Sequence, residues 1–581
     1  MQHRHSVRSA LAAAACLTTF SGAAFAQAPL FTVTGVANDN QLGTSVSFVG
    51  DLNADGRAEF VVGATEQGIF SSGQGYARVC NGATGLQLFN FDGVTNGDAF
   101  GTSVGASDVN NDGKADILVG APNATSTGGG AGGGRVYVFN GATGSSTPLF
   151  TLNGLVSGGH FGTSVAGAGD VNNDGKADII VGAPDTNSAK GRATVISGMT
   201  GLVIWTIDGV ANNDGVGVSV DGLGDVNGDG RSDFIVGSRL AGAKIYSGMT
   251  GLQLGATITA NGNDRRGASV AGVGDVTGDG VPDYIVGAPQ DGSIFSLGTG
   301  YATVYNGATG AVVYTKTGDV VGDRFGFSVG GGRLVNADAR ADFIVGADQN
   351  NNGARGYARV FSGLDGSTID SVTGLADGDR LGTSVDLLGD LNTDGRGEFI
   401  CGAPKATVGS FTVAGIALVF SHAPAFNAFC FGDGLDTTHT TACPCGNTGS
   451  AGHGCAHSFS ALGGLLSVTG TTGADNVVLT ASDLPATSFG LFMQHDAAGD
   501  STFHDGVLCA GGSLVRLRGR AAVSGVVSFP TSADTQTLSQ RGGVTVGSGL
   551  RRYYAVWFRN ASTTFCPPAT ANVTNGFVID W

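Results

Sequence analysis

The sequence is poor in charged residues and in proline, and after its N-terminal region it contains no long apolar run. Of its 581 residues only 13% are charged and 13 are prolines, whereas 102 are glycines and 41% are hydrophobic. This composition excludes a charged disordered polymer and a collagen-like chain. The lack of about 18 uninterrupted apolar residues excludes a later transmembrane helix. The length exceeds that of one ordinary hydrophobic core, so we expect at least two domains, rich in short strands and glycine turns.

Basic residues are also scarce, which bears on the choice of partner. The chain has 30 Lys and Arg residues against 47 Asp and Glu residues, and its formal net charge is -17. Binding to nucleic acid requires Lys and Arg to replace the counterions of the phosphates. The composition therefore argues against nucleic acid as a partner.

The N-terminal region has the features of a secretory signal peptide. Basic residues between His3 and Arg8 precede a mostly apolar run at residues 10–20, and Ala24-Phe25-Ala26 forms a small-x-small cleavage site before Gln27. A lipoprotein signal using Cys16 is less favoured, because three alanines without a leucine precede that cysteine. We expect residues 1–26 to be removed and the mature chain to be secreted or held at the cell surface.

Seven repeats of one unit lie between Phe31 and Pro404. Each unit has a Gly-Thr-Ser-Val-like strand, an Asp-rich turn, an apolar strand that ends in Gly-Ala-Pro, and two further short strands. The Asp-rich turns recur every 50–62 residues and begin at Asp51, Asp108, Asp170, Asp225, Asp275, Leu334 and Asp390. A repeat of about four strands without helical periodicity is typical of a propeller blade. The sequence thus predicts an all-β fold whose residues 27–423 form a seven-bladed β-propeller.

The Asp-rich turns carry oxygen ligands at a spacing that suits Ca²⁺. Oxygen-bearing side chains stand at positions one, three, five and nine, and position seven offers a backbone carbonyl. Ca²⁺ prefers about six to eight oxygen ligands at about 2.3–2.6 Å, which a loop turning at glycine can bring inward. The predicted ligands are, loop by loop, Asp51, Asn53, Asp55, Arg57 and Glu59; Asp108, Asn110, Asp112, Lys114 and Asp116; Asp170, Asn172, Asp174, Lys176 and Asp178; Asp225, Asn227, Asp229, Arg231 and Asp233; Asp275, Thr277, Asp279, Val281 and Asp283; and Asp390, Asn392, Asp394, Arg396 and Glu398.

One loop departs from the pattern. Leu334 takes the first ligand position and Ala339 replaces the turn glycine, so we expect this loop to bind weakly or stay empty, and the chain to bind about six Ca²⁺ ions. The alternative is that Asp, Asn and Gly simply form turns, with their side chains bonding the local backbone. Repetition at fixed offsets, with an acid at the ninth position, favours calcium over that alternative.

The two ends of the repeat region predict how the ring closes. The last unit has three strands before the composition changes, and Leu30–Gly35 closely resembles the outer-strand segment Leu149–Gly154. We expect the mature N-terminus to supply the missing strand of the last blade, because closure removes open sheet edges.

Three of the repeats show a family resemblance most clearly. Phe100-Gly101 with Gly120-Ala121-Pro122, Phe161-Gly162 with Gly182-Ala183-Pro184, and Leu381-Gly382 with Gly402-Ala403-Pro404 resemble the FG-GAP repeat of the integrin α-subunit head, including its calcium loops. The resemblance covers roughly 390 residues. Val216 and Arg266 stand where the aromatic is expected, and Arg239 and Asp348 stand where the proline is expected. The resemblance implies a seven-bladed, calcium-binding propeller used for adhesion or for presenting binding loops; it does not supply the ligand.

The tail has a different character. Beyond residue 423 the Asp loops stop and six of the nine cysteines appear: Cys430, Cys443, Cys445, Cys455, Cys509 and Cys566. An even number of cysteines in an exported segment predicts disulfides, although six allow fifteen pairings. Zinc held by Cys443, Cys445, Cys455 and a nearby His is the disfavoured alternative, because the usual paired C-x₂-C spacing is missing. We expect a cysteine-rich linker at 424–460 and a small β-sandwich-like domain at 461–581. Cys80 and Cys401, in the first and last units, are either a disulfide across the closure or two buried thiols.

No linear motif indicates catalysis. Gly101–Gly105 and Gly326–Gly330 spell Gly-x-Ser-x-Gly, but both lie in the first strand of a blade with no helix following. The favoured function is a secreted, calcium-binding adhesion or ligand-binding module whose partner is an extracellular protein or glycan. The alternative is an extracellular carbohydrate-active or phosphoester hydrolase on a propeller scaffold, since fold alone does not fix function. A third possibility is a structural surface or matrix component.

Overall fold

The structure is a computed structural model that describes residues 29–67, 73–261, 264–291, 298–336, 338–350, 353–392, 396–421, 426–429, 441, 443, 447–450, 453–458, 460–469, 475–503, 506–545, 550–559 and 571–581. The described residues fall into two compact units, one before and one after residue 422. The predicted signal peptide lies outside the described residues. Neither helix in the described part of the chain is long and apolar enough to cross a bilayer.

The first unit consists of seven four-stranded antiparallel sheets, which confirms the predicted propeller. Blade 1 contains β2 Leu42–Gly50, β3 Glu59–Ala64, β4 Tyr76–Cys80 and β5 Gln87–Asp92, and blade 2 contains β6 Ser103–Ser107, β7 Asp116–Ala121, β8 Arg135–Phe139 and β9 Phe150–Asn153. Blade 3 contains β10 Ser164–Gly169, β11 Asp178–Ala183, β12 Arg192–Ile196 and β13 Val203–Asp208, and blade 4 contains β14 Ser219–Gly224, β15 Asp233–Gly237, β16 Ala243–Tyr246 and β17 Gln253–Ile258. Blade 5 contains β18 Ser269–Gly274, β19 Asp283–Ala288, β20 Tyr301–Tyr305 and β21 Val312–Thr317, and blade 6 contains β22 Ser328–Arg333, β23 Asp342–Ala347, β24 Tyr357–Phe361 and β25 Thr368–Thr373. A short turn in blade 3, α1 (Thr186–Ala189), has left-handed φ angles at Asn187 and Ser188, so it is not a regular α-helix.

The seventh blade is completed by the N-terminal strand, as predicted. It comprises β1 Phe31–Thr34, β26 Ser384–Gly389, β27 Glu398–Ala403 and β28 Ile416–Ser421. Strand β1 pairs antiparallel with β28, and Phe31 lies opposite Val419. The ring is therefore closed by pairing between the beginning and the end of the propeller sequence.

Each blade is tied to the next by a serine from its innermost strand. Ser45 Oγ donates to the carbonyl of Gly101 at 2.9 Å, and the series runs around the whole ring to Ser384, which donates to Gly43 of blade 1 at 2.9 Å. The five intermediate pairs are Ser103 with Gly162, Ser164 with Gly217, Ser219 with Gly267, Ser269 with Gly326, and Ser328 with Gly382.

The same contact accounts for the first glycine of the Gly-Ala-Pro segment. A Cβ atom on Gly63 would lie 2.2 Å from the Gly101 carbonyl oxygen and 2.4 Å from Ser45 Oγ. Only glycine fits that approach of two blades. Three regular positions of the repeat thus serve to join blades: the serine of the first strand, the glycine of the Phe-Gly pair and the first glycine of the Gly-Ala-Pro segment.

Apolar side chains fill the space between neighbouring blades. The second strand of each blade is buried along its whole length. In β7, for example, Asp116 and the five residues after it are all buried. One cluster joins Val79 of blade 1 to Val119 and Phe139 of blade 2. Each such Val or Phe side chain stabilises the fold by roughly 1.5–3 kcal/mol.

The second unit contains two sheets around one core, which confirms a sandwich-like arrangement. One sheet contains β29 Phe426–Phe429, β32 Phe489–Phe503, β33 Gly506–Ala521, β35 Arg551–Arg559, β36 Ala571–Val573 and β37 Gly576–Asp580; the other contains β30 Leu465–Thr469, β31 Val478–Ser482 and β34 Val527–Phe529; helix α2 is Leu538–Gly542. Phe492 and Val556 of the larger sheet pack with Leu479 and Phe529 of the smaller one. Thr537 and Gln540 form a capping box at the start of α2.

The described cysteines behave as structural groups. Cys443 and Cys455 form a disulfide, so these two sulfurs are not available for the zinc set considered above. Cys80 and Cys401 are buried free thiols, and burial raises the pKa of Cys80 to about 12. Cys430, Cys445 and Cys566 lie outside the described residues, and so does the side chain of Cys509.

Candidate metal centres

The Asp loops join the first and second strands of their blades. The loop at 108–116, for example, follows β6 and leads into β7. Because every blade has the same strand order, the seven loops emerge at one face of the ring. The predicted calcium ligands therefore lie at this one face of the propeller, in separate loops.

The acid at the ninth position has a structural role of its own. Asp116 is fully buried; its two oxygens accept the backbone N–H of Val109 at 3.2 Å and of Gly141 at 3.1 Å. These bonds join the loop to the turn after the third strand of the same blade. Asp342 of the degenerate loop makes the same pair of bonds, to Val335 at 2.6 Å and Gly363 at 3.0 Å. An acid is thus required at this position even where the other ligands are incomplete.

Burial dominates the titration of these acids. Desolvation raises the pKa of Asp116, Asp178, Asp233 and Asp342 to about 6, against hydrogen bonds from the backbone that lower it. The pKa of Glu59 and of Asp283 is raised for the same reason. A cation beside these carboxylates would offset the cost of burying their charge.

The first and fifth positions shape the loop. The two oxygens of Asp108 accept the backbone N–H of Asp112 at 3.1 Å and of Gly113 at 2.9 Å, and Asp112 accepts from the N–H of Lys114 at 3.0 Å. The other intact loops repeat much of this pattern, as at Asp170. These are the local bonds that Asp-rich turns make without a metal. Within the described residues, no three His, Cys, Asp or Glu side chains converge closely enough to hold a metal ion.

One observation in the loop of blade 2 fits the binding of a cation. The side-chain oxygen of Asn110, at the third ligand position, is buried and has no hydrogen-bond donor. A buried acceptor without a donor costs about 1–3 kcal/mol unless another group satisfies it. The predicted metal ligands of this loop are all oxygen atoms, which suits Ca²⁺.

The side chains at position seven point away from their own loop. Lys114 Nζ donates to the carbonyl of Leu52 in the preceding loop, and Arg231 Nη1 donates to the carbonyl of Val171 at 3.3 Å. Position seven can therefore offer only its backbone carbonyl to a metal, and its side chain links neighbouring blades.

The remaining loops vary around this plan. Asn53 Nδ2 donates to Asp55 and to Glu59, each at 2.9 Å. Asn306, from outside the loop, donates to Asp279 at 2.5 Å. In the last loop Asp394 lies outside the described residues. In the degenerate loop Leu334, at the first ligand position, is 49% exposed and has no side-chain oxygen to offer a metal.

At the opposite face, charged side chains form contacts that the sequence did not reveal. Arg324 bonds Asp291 of blade 5 at 2.7 Å and Asp348 of blade 6 at 2.8 Å, and all three side chains are less than 10% exposed. His160, which is isolated in the sequence, bonds Asp185 at 2.7 Å. His160 and Arg324 both have a left-handed backbone. Each directly precedes the Phe-Gly pair of its repeat, and this position is the one sequence signal that could have located them.

The centre of the ring is a channel of 460 Å³ lined by the innermost strands. The residue after the Val of each first strand faces it, and this residue is small except for Asp221 and Asp386. Burial, with a smaller contribution from charge repulsion by Asp386, raises the pKa of Asp221 to about 7. Arg333 also lines the channel and lies over the Phe48 ring.

The seven four-stranded sheets define a class, the seven-bladed β-propeller. The FG-GAP repeat family matches residues 100–139 and 161–196, in blades 2 and 3. In particular, the chain is similar to integrin alpha subunits, which confirms the resemblance drawn from the sequence. Integrin alpha-5 of Xenopus laevis is 36% identical over 214 residues, and integrin alpha-8 of Mus musculus is 32% identical over 225 residues; each match covers 35% of this chain and 20% of the relative.

The matched region is thus about one fifth of the length of these relatives. Integrin alpha-IIb of Mus musculus is 36% identical over 151 residues, which covers 24% of this chain and 15% of that protein. A crystal structure of BBS1N in complex with ARL6DN matches 68% of this chain and 97% of its own, with a TM-score of 0.42 and 10% identity, and is too distant to support an argument.

Proposed function

We propose that this chain is a secreted, calcium-binding propeller protein that acts as an adhesion or ligand-binding module at the cell surface or in the extracellular matrix. The observation that carries the proposal is the similarity of the propeller to integrin alpha subunits. The partner is an extracellular protein or glycan. In the same proposal the mature chain begins at Gln27 and the propeller ends near residue 423. The predicted cysteine-rich linker at 424–460 is corrected in part, because its residues 426–429 form β29 of the larger sheet and belong to the C-terminal unit.

Calcium binding is supported by the composition of the Asp loops. Asp108, Asn110, Asp112 and Asp116 would hold the ion through side-chain oxygens, and Lys114 through its carbonyl. Bound calcium would supply positive charge to a loop that otherwise holds several carboxylates close together. Six such ions would offset most of the formal net charge of -17.

The serines of the Gly-x-Ser-x-Gly segments do not support an acyl-transfer enzyme. Ser103 Oγ donates to the carbonyl of Gly162 and Ser328 Oγ to that of Gly382, each at 2.8 Å. A nucleophilic serine must instead give its proton to a base. These hydroxyls are used to join blades.

A second candidate function, an extracellular carbohydrate-active hydrolase, is favoured by one observation. Asp221 and Asp386 face the same channel, and burial raises the pKa of both. Glycoside hydrolysis uses a pair of carboxyl groups, one of which acts as the general acid and has a raised pKa. Two acids would repel a phosphoester, so a neutral sugar is the better substrate. Hydrolysis of nitrophenyl glycosides that is lost in both Asp221→Asn and Asp386→Asn would establish this function.

The main proposal is tested by thermal unfolding of the full chain with calcium and with a chelator, together with the stoichiometry of bound metal. We expect a large rise of Tm in calcium and about six bound ions, because an ion that binds only the folded state stabilises it. The absence of both would reduce the Asp loops to turns. An array of extracellular proteins and glycans then identifies the partner, and self-association instead of partner binding would indicate a structural matrix component.

A further inference from the structure

In five of the seven interfaces between blades, an aromatic side chain of the outermost strand packs onto a glycine of the next blade. That glycine belongs to the turn between the third and fourth strands, and its φ lies between 61° and 72°. A Cβ atom on each glycine would lie within 3.2 Å of the ring. The pairs are Phe31 with Gly85, Phe89 with Gly144, Phe150 with Gly201, Trp205 with Gly251, and Tyr314 with Gly366.

Two of these rings also donate a hydrogen bond to the same turn. Trp205 Nε1 donates to the carbonyl of Gly248 at 2.8 Å, and the Tyr314 hydroxyl donates to the carbonyl of Gly363 at 3.0 Å. The two glycines occupy the same position in their turns. This position in the outermost strand therefore suits an aromatic ring whose N–H or O–H group can donate to the turn of the next blade.

In blade 6 the incoming ring completes a stack of three. Tyr314 lies parallel to Phe343, with ring centroids 6.1 Å apart, and Phe343 lies parallel to Phe361 at 5.2 Å. One ring comes from the outer strand of blade 5 and two come from blade 6. Stacked aromatic pairs contribute about 0.5–1.5 kcal/mol beyond the area they bury.

The interface from blade 4 to blade 5 lacks the incoming ring. Gly255 stands in β17 where Trp205 stands in β13, and a Cβ atom placed on Gly255 would have no neighbour within 4 Å. On the turn glycine of blade 5, Gly310, a Cβ atom would meet only the Tyr284 hydroxyl, at 3.9 Å. A cavity of 870 Å³ lies here, between β17 and the turn.

The other parts of the aromatic site are present in this cavity. Tyr284 and Tyr305 line it and lie parallel, with centroids 5.4 Å apart, as the second and third rings of a stack. Gly307 also lines it, at the position where Gly248 and Gly363 accept their hydrogen bonds, and no side chain among the described residues donates to its carbonyl. In the seventh interface the equivalent residue is Asp370, and the facing turn lies outside the described residues.

We propose that this cavity binds an aromatic side chain with an N–H or O–H donor, the Trp or Tyr of a partner polypeptide. The ring stacks on Tyr284, and its polar group donates to the carbonyl of Gly307. A polypeptide is the source because an extended strand carries the ring in each of the five filled interfaces, and the cavity follows the backbone of residues 254–259. The proposal rests on the proposed ligand-binding function, and it is tested separately from calcium binding.

The test is binding of N-acetyl-L-tryptophanamide to the full chain, measured by ligand-observed NMR and calorimetry, with N-acetyl-L-leucinamide and free indole as comparisons. We expect the tryptophan amide to bind and the leucine amide not to bind. Gly255→Trp supplies the missing ring from the chain itself and is expected to weaken binding by about tenfold or more. Trp205→Ala opens the equivalent space at the interface from blade 3 to blade 4, and is expected to raise the number of sites from about one to about two.

A second blocking variant guards against misfolding of Gly255→Trp, whose backbone is left-handed. Ala308 lines the cavity, and the equivalent turn positions already carry Met249 and Leu364, so Ala308→Trp is compatible with the fold. Binding that survives both blocking variants would overturn the site. Equal binding of the leucine amide would overturn the aromatic specificity, and binding of free indole alone would overturn the polypeptide source. Calcium stoichiometry, measured on the same samples, tests the calcium-binding part of the proposed function separately from ring binding in this cavity.

Discussion

The carboxylate of Asp386 in the last blade accepts a hydrogen bond from the backbone N–H of Phe48 in the first blade, at 2.9 Å. This bond joins the innermost strands β26 and β2 on the two sides of the ring closure. Asp221 makes the same contact away from the closure, accepting from the N–H of Gly272 at 2.9 Å. Both carboxylates therefore link their own blade to the next one within the channel.

Asp386→Ala is expected to lower the free energy of unfolding by about 1–3 kcal/mol, because the partly buried N–H of Phe48 loses its acceptor. The variant is compatible with the fold, since Ala166 and Ala271 stand at the same position in other blades. Urea unfolding of the full chain measures the change. Asp221→Ala is the matched control, and a larger loss at Asp386 would identify the closure as the weakest interface; equal losses would show that all interfaces are alike.

The stability of the chain is expected to fall as the pH rises from about 4 to about 7, in part because of Asp221. Burial raises the pKa of this carboxyl from 3.8 to about 7. A group whose pKa is higher in the folded state binds its proton more tightly there, so its contribution is complete below its unfolded pKa and is lost as the pH passes the folded one. Charge repulsion from Asp386 also raises the pKa of Asp221 and adds to the effect, whereas Arg333 in the same channel lowers the pKa of Asp386.

Asp221→Asn removes this titration and is expected to flatten that part of the profile. The measurement is the Tm of wild type and variant between pH 4 and pH 8 in chelator, so that calcium does not contribute. The difference between the two proteins isolates Asp221 from the other buried acids. A constant difference across the range would contradict the assignment.

Asp112→Ala or Asp174→Ala is expected to lower the calcium stoichiometry by about one ion, because each removes a ligand at the fifth position of an intact loop. Asp338→Ala, at the same position of the degenerate loop, is the matched control and should leave the stoichiometry unchanged. Elemental analysis after dialysis against calcium counts the ions. Equal losses in all three variants would refute the distinction between the loops.

Arg324→Met is expected to cost about 3–5 kcal/mol, because it leaves the buried carboxylate of Asp348 without its cation, whereas Asp291 keeps its bond to Arg265 at 2.8 Å. Asp291 and Asp348 are 7% and 3% exposed. Arg192→Met is the control: its partner Asp208 is 52% exposed, and breaking such a pair costs about 1 kcal/mol or less. Chemical unfolding of the two variants compares them directly, and similar losses would mean that the buried pair is not stronger than the exposed one.

The sequence predicts what is local and repeated. The number of blades, the position of each Asp loop and the completion of the last blade by Phe31–Thr34 follow from segments that can be compared with one another. The role of the ninth acid was harder to predict, because the second partner of Asp116 is Gly141, which lies beyond the next strand.

Features that occur once, or that involve two blades, were not predictable. The contact of Ser45 with Gly101 requires the next blade to be in place, although both residues belong to visible motifs. Asp221 and Asp386 break the pattern of small residues facing the channel, and only the ring brings them together. The missing ring at Gly255 becomes visible only when its counterpart Trp205 is seen packed on the next blade.

The pairing of β1 with β28 also has a consequence for folding kinetics. Phe31 emerges from the ribosome long before Val419, its partner in the last blade. Contacts so distant in sequence form late and slow the overall rate, because the entropy of closing a long loop must be paid before they form. Blades 1 to 6 contain all their strands in sequence order and can assemble one after another during synthesis, whereas the last blade stays incomplete until the whole propeller has been made. Folding of the ring therefore ends with the strand that was synthesised first.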